Sequence, residues 1–96
     1  MILVREVFQL KYSQGDALPG LFSEARETFL RDVPARLLFD LSGQFFTAVV
    51  EIEMESLAVW ERRIAELFSN PEATDWFARL ATTVESGRRE FYTIAG

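Results

Sequence analysis

Phe45-Phe46-Thr47-Ala48-Val49-Val50-Glu51-Ile52-Glu53-Met54 is the stretch that decides the fold of this chain. Side chains alternate across an extended backbone, so Phe46, Ala48, Val50, Ile52 and Met54 fall on one side, while Phe45, Thr47, Val49, Glu51 and Glu53 fall on the other. The first set is wholly apolar and the second is mixed. Such a strand covers a core with one face and leaves the other for water or for a shared surface.

Working outward, the three residues Ser42-Gly43-Gln44 predict a hairpin back to a strand over Arg36 to Leu41. There Leu37, Phe39 and Leu41 share one face, and Arg36, Leu38 and Asp40 the other. Ile2 to Lys11 predicts the opening strand. Ile2, Val4, Phe8 and Leu10 form a face interrupted by Glu6, and Leu3, Arg5, Val7, Gln9 and Lys11 form the second face, so the pattern leaves open which looks inward. Between these strands, Leu18, Leu21, Phe22, Ala25 and Phe29 recur at helical spacing and predict a helix from Ala17 to Asp32. Asp16 is its expected N-cap, Pro19 is tolerated in its first turn, and Val33-Pro34 is its expected end.

Downstream of Met54, Ser56 is placed to cap a helix whose apolar stripe is Leu57, Trp60, Ile64, Leu67 and Phe68. Asn70 and Pro71 have the order expected of an N-cap and a first helical residue. A third helix then carries Trp76, Phe77, Leu80 and Val84 inward, with Ser86-Gly87 as its expected close. Arg88 to Ala95 predicts the last strand, in which Arg89, Phe91, Thr93 and Ala95 alternate with Arg88, Glu90, Tyr92 and Ile94.

The order β-α-β-β-α-α-β predicts an α+β, ferredoxin-like domain over residues 1–96. Right-handed crossovers put the first and third strands in the centre of a four-stranded antiparallel sheet, with all helices on one face. The bare face then carries Arg5, Val7, Gln9, Leu38, Asp40, Phe45, Thr47, Val49 and Glu51, with Glu90 or Tyr92. That mixture is too apolar for water and too polar for a core, which predicts a homodimer whose two sheets face each other as a barrel.

Composition narrows the chemistry. A hydrophobic fraction of 49% beside 26% charged residues is that of a globular protein, and 14% aromatic content with nine Phe exceeds what one small core needs. A net charge of −5 and a pI near 4.7, with arginines dispersed, argue against nucleic acid and against a membrane surface. The absence of Cys and His removes disulfides, thiol nucleophiles, imidazole or thiolate metal sites and a Ser-His-Asp triad. No cofactor and no metal are therefore expected. No basic and apolar leader follows Met1, and no apolar run reaches the ~20 residues of a membrane span, so the expected location is cytoplasmic.

No catalytic residue can be named. Trp60 and Trp76 sit on helical apolar stripes and Asn70 at a cap, which assigns all three to structure. Glu51, Glu53 and Glu55 alternate at a strand end, as a solvated edge does. The residues expected to bind a ligand are Arg5, Gln9, Asp40, Thr47, Glu51 and Tyr92, because polar side chains enclosed between two sheets are desolvated and paired. An Arg there can hold a carboxylate by two parallel hydrogen bonds. The competing expectation is that Arg5 simply pairs with Glu51 or Asp40 inside the dimer.

Val4-Arg5-Glu6-Val7-Phe8-Gln9-Leu10-Lys11 leading to Gly15, together with Asn70-Pro71-Glu72 followed by Trp76, Val84, Gly87 and the closing strand, resembles the NIPSNAP-like members of the dimeric α/β barrel superfamily. The chain departs from that pattern at Glu6, where the family usually has Arg, and in two extra residues before Gly15. The resemblance implies a dimeric barrel with no agreed biochemical activity. Related families include cofactor-independent monooxygenases, haem-degrading enzymes, chlorite dismutase-like proteins and muconolactone isomerases; the lack of His argues against haem. Three functions are in view: binding of a small apolar or anionic ligand between the sheets, a cofactor-independent monooxygenase or isomerase in the same cavity, and a structural or interaction module with no ligand.

Overall fold

The computed structural model covers residues 1–96. In chain order it contains β1 (Ile2–Leu10), a 3-10 turn (Gly15–Ala17), α1 (Leu18–Glu27), β2 (Ala35–Phe39), β3 (Thr47–Met54), α2 (Leu57–Phe68), α3 (Pro71–Ala81) and β4 (Val84–Thr93). The four strands form one antiparallel sheet in the order β2-β3-β1-β4, the ferredoxin-like arrangement expected from the sequence. β1 lies opposite β3 with Val4 across from Ile52 and Arg5 across from Glu51, and opposite β4 with Arg5 across from Glu90.

The helices cover the even-numbered face of β1 and β3. Leu10 and Ala48 meet Leu18, Leu21 and Leu80 in one buried cluster, and Val4, Ile52 and Met54 meet Trp60 in a second. The orientation of β1 is thereby settled: its interrupted apolar face looks inward, carrying Glu6 with it. Two of the expected caps are present, since Ser56 accepts from the Val59 amide at 3.2 Å and Asn70 from the Glu72 amide at 3.0 Å. Each satisfies one of the backbone donors that a helix start leaves free.

Strand ends move by one or two residues, β2 closing at Phe39 before Asp40 and Leu41 and β4 at Thr93 before Ile94 and Ala95, and four further places differ from expectation. Phe45 and Phe46 precede β3 instead of opening it. Gly43 has φ 94° and Phe46 φ 59°, both left-handed, and the Asp40 carboxylate accepts from the Thr47 amide at 3.0 Å to close the turn. Helix α1 stops at Glu27, five residues before Asp32, because Thr28 leaves helical geometry and turns its hydroxyl onto the Glu24 carbonyl at 2.8 Å. Asp16 does not cap α1; it lies in the 3-10 turn, and the residue at the cap is Ala17, which offers no side-chain bond.

The fourth difference is at the far end of α3, which closes at Ala81, so Val84 opens β4 and Ser86-Gly87 lie within the strand. Gly87 is used for space: a Cβ there meets the Val7 carbonyl oxygen at 3.1 Å and the Phe8 ring at 3.3 Å.

Candidate functional site

The open face of the sheet is dominated by one transverse row. Strand register sets Arg36, Glu51, Arg5 and Glu90 side by side across β2, β3, β1 and β4, so charge alternates along the row. Arg5 Nε donates to Glu51 at 3.1 Å and Arg5 Nη1 to Glu90 at 2.7 Å, while Arg36 Nη2 lies 2.5 Å from Glu51. Arg88 extends the row with a 2.9 Å bond to Glu90, and the Tyr92 hydroxyl donates to the same carboxylate at 3.1 Å. Glu51 is only 8% exposed.

Burial works against the charge of Arg5, but Tyr92, Glu90 and Glu51 together outweigh it and hold the guanidinium above its ordinary value. The Glu90 carboxyl is held below its ordinary value, chiefly by the Arg88 hydrogen bond.

The six residues expected from the sequence to bind a ligand all reach this face, in two groups. Arg5, Glu51 and Tyr92 share the charged network through Glu90. Gln9, Asp40 and Thr47 stand at the β2–β3 end, where Gln9 Nε2 donates to the Phe45 carbonyl at 2.6 Å and Thr47 is held by Asp40. Between the groups, Val7, Val49 and Leu38 make an apolar band.

A different space lies on the other side of the sheet. A cavity of about 430 Å³, partly open to solvent, separates the sheet from α2, α3 and the α1–β2 connection. Phe8, Val50, Ile52 and Met54 form its floor; Phe29, Trp60, Ile64, Trp76 and Phe77 are among its walls.

Four of its charged side chains form two ion pairs, and a fifth, Glu66, stands at its edge. Glu6, on the floor, forms an ion pair with Arg89 of β4, and the Arg89 guanidinium carbon stands 5.0 Å from the centre of the Trp60 ring. Arg63 of α2 pairs with Asp32 of the α1–β2 connection. The Asp32 carboxyl is held low chiefly by the Arg63 hydrogen bond, and the Arg63 guanidinium is held correspondingly high. The Trp76 indole N–H donates to the Leu21 carbonyl at 2.8 Å.

The sequence reading passed over this second space. Its available signal was Glu6, the one charge on the apolar face of β1, together with Arg89, which strand alternation puts on the same side of β4.

Solved structures of known proteins share this architecture. An uncharacterized NIPSNAP domain protein from Burkholderia xenovorans superposes with a TM-score of 0.87 at 11% identity, over 99% of this chain and 95% of that one. A NIPSNAP family protein from Agrobacterium tumefaciens gives 0.84 at 13% identity, over 98% and 92%. The chain shares the fold of these two proteins. SnoaB, a cofactor-independent oxygenase from Streptomyces nogalater, gives 0.75 at 12% identity, over 99% and 93%. No protein-family model matches the sequence, and no curated protein matches it either. No helix of this chain is long and apolar enough to cross a membrane.

Proposed function

We propose that this protein binds a small, largely aromatic molecule in the cavity between its sheet and its helices. The observation that carries the proposal is the cavity itself. Its volume falls in the range of small-molecule sites, roughly 300–1,000 Å³. Twelve of its nineteen lining residues are hydrophobic, so moving an apolar ring into it from water is favourable. Native mass spectrometry of freshly purified protein tests the proposal together with a plugged variant, Ile64→Trp. A retained small-molecule adduct, or binding of naphthalene-sized probes, that is lost in the plugged variant supports it; no adduct and no probe binding in the parent protein overturns it.

A second reading is favoured by the position of Glu6 and by the likeness to a cofactor-independent oxygenase. In it, Glu6 takes a proton from the bound ligand, and the ligand anion itself supplies electrons to dioxygen, so no cofactor is required. Ligand-dependent oxygen consumption that disappears in Glu6→Gln supports this reading, and binding without oxygen consumption refutes it.

For the open face we propose a second copy of the chain. A two-fold axis between two such sheets and parallel to the strands sets β2 over β4 of the partner subunit, and β3 over its β1. Arg36 then faces Glu90 of the partner subunit, and Glu51 faces Arg5 of the partner subunit, so every charge in the row meets its opposite. An axis along the row sets like over like and is disfavoured. Sedimentation equilibrium at micromolar concentration is expected to give twice the 11.0 kDa chain mass; the single-chain mass alone refutes the proposal.

A further inference from the structure

We infer that the cavity selects uncharged aromatic molecules bearing a hydroxyl donor and rejects the corresponding carboxylates, and that Glu6 and Asp32 set this preference. The inference rests on the binding function proposed above and concerns the ligand's charge.

Five charged side chains line the cavity: Arg63 and Arg89 against Glu6, Asp32 and Glu66. Neither arginine is free for an incoming anion. Arg89 is held by Glu6 and lies over the Trp60 ring, and Arg63 is held by Asp32. A carboxylate ligand must either displace one of these partners, which at Glu6 leaves a half-buried carboxylate unpaired, or add a fourth negative charge to a wall that already has three against two.

The hydrogen-bonding inventory points the same way. The carboxylates of Glu6, Asp32 and Glu66 are acceptors, so they reward a ligand that donates. The Trp76 N–H is already committed to Leu21, and the two remaining neutral donors, the Trp60 indole and the Asn70 amide, carry no charge to offset the desolvation of a carboxylate. The apolar floor counts against a cation, since Phe8, Val50 and Ile52 offer no side-chain acceptor to replace its hydration. What remains is a neutral ring system with a hydroxyl group, its ring on Phe8, Val50 and Ile52 and its O–H turned to a carboxylate.

The two pairs are also unequally placed. The Glu6 side chain is 15% exposed, whereas that of Asp32 is 66% exposed. Glu6 therefore carries most of the discrimination, because an interaction on the dry floor is screened less than one at the rim.

The test is calorimetric titration at pH 7 with two probes sharing one ring system, 2-naphthol and 2-naphthoate. The parent protein is expected to bind 2-naphthol at least about tenfold more tightly, a difference of about 1.4 kcal/mol. In Glu6→Gln, which keeps the shape and frees Arg89, the preference falls or reverses through a gain in naphthoate binding. Asp32→Asn, on an exposed connection where the fold is least at risk, shifts the ratio in the same direction by less. Glu27→Gln removes the same charge from an exposed residue that does not line the cavity and leaves the ratio unchanged.

Equal or tighter binding of naphthoate by the parent protein overturns the inference and leaves the binding function standing, as does a Glu27→Gln shift equal to that of Glu6→Gln. Failure of both probes to bind the parent and every variant overturns the binding function and the inference with it.

Discussion

Replacing Glu51 by Ala is expected to destabilise the chain by about 2 kcal/mol, and the figure follows from what each partner loses. Glu51 accepts from Arg5 at 3.1 Å and from Arg36 at 2.6 Å, and its own side chain is 10% exposed. Arg36 is 70% exposed, so its half of the bridge is screened by water and contributes little. Arg5 is only 29% exposed and matters more, but it keeps Glu90 at 2.7 Å and is not left alone. The cost therefore lies below the roughly 3–5 kcal/mol of a fully orphaned buried charge and above the ±0.5 kcal/mol of an ordinary surface change.

In urea denaturation this loss is a midpoint shift of roughly 1 M. The same loss lowers the melting temperature by about 8–16 °C in a domain of this size. Glu51→Gln, which preserves shape and one acceptor, is expected to lose about half as much. A double-mutant cycle of Arg5→Ala with Glu51→Ala isolates the pair and is expected to show coupling of about 1 kcal/mol. A Glu51→Ala loss under about 0.5 kcal/mol with no coupling to Arg5 refutes the reading of the row as a structural network.

Other consequences are equally concrete. Gly87→Ala drives a methyl against the Val7 carbonyl and the Phe8 ring; a loss of about 1–3 kcal/mol is expected in thermal melts, and an unchanged melt contradicts it. Ser56→Ala removes the bond to the Val59 amide and is expected to cost about 1 kcal/mol by the same assay. Glu90, Glu24 and Asp32 all titrate below their ordinary values of 4.5, 4.5 and 3.8, held down by Arg88, Arg79 and Arg63. Because the folded state binds these protons less readily than the unfolded one, their contribution is complete above the ordinary values and is lost as the pH falls through the lower folded values. Denaturant midpoints are therefore expected to be level from neutrality to about pH 5 and to fall below it; midpoints that rise on acidification contradict the assignment.

The fold was legible because its strands carry period-two patterns strong enough to survive uncertain ends. Thr47 to Met54 reads as β3 without ambiguity, and Ser56 and Asn70 mark two helix starts that the structure retains. What the pattern could not show was backbone conformation off the regular lattice. Phe46 looks like the first inward residue of a strand, yet it sits at φ 59° in a turn longer than the three residues suggested by Ser42-Gly43-Gln44. Val84 fits a helical stripe as well as a strand, and only its place opposite Leu10 decides between them.

The charged row was partly legible, since the pairing of Arg5 with Glu51 follows from alternation and strand order. The cavity was not, because a volume between layers depends on how far the helices stand off the sheet, which no periodicity records. Its one trace was Glu6, a charge on a face that the core needs apolar. That residue reads as a blemish in the strand until Arg89 is brought beside it.

The most direct measurement is an amide and indole NMR titration with 2-naphthol, because it asks which side of the sheet the ligand occupies. The account predicts perturbed indole N–H resonances of Trp60 and Trp76, with perturbed amides at Phe8, Val50 and Ile52, all of which line the cavity. Perturbations confined to Arg5, Glu51 and Tyr92 on the open face contradict it.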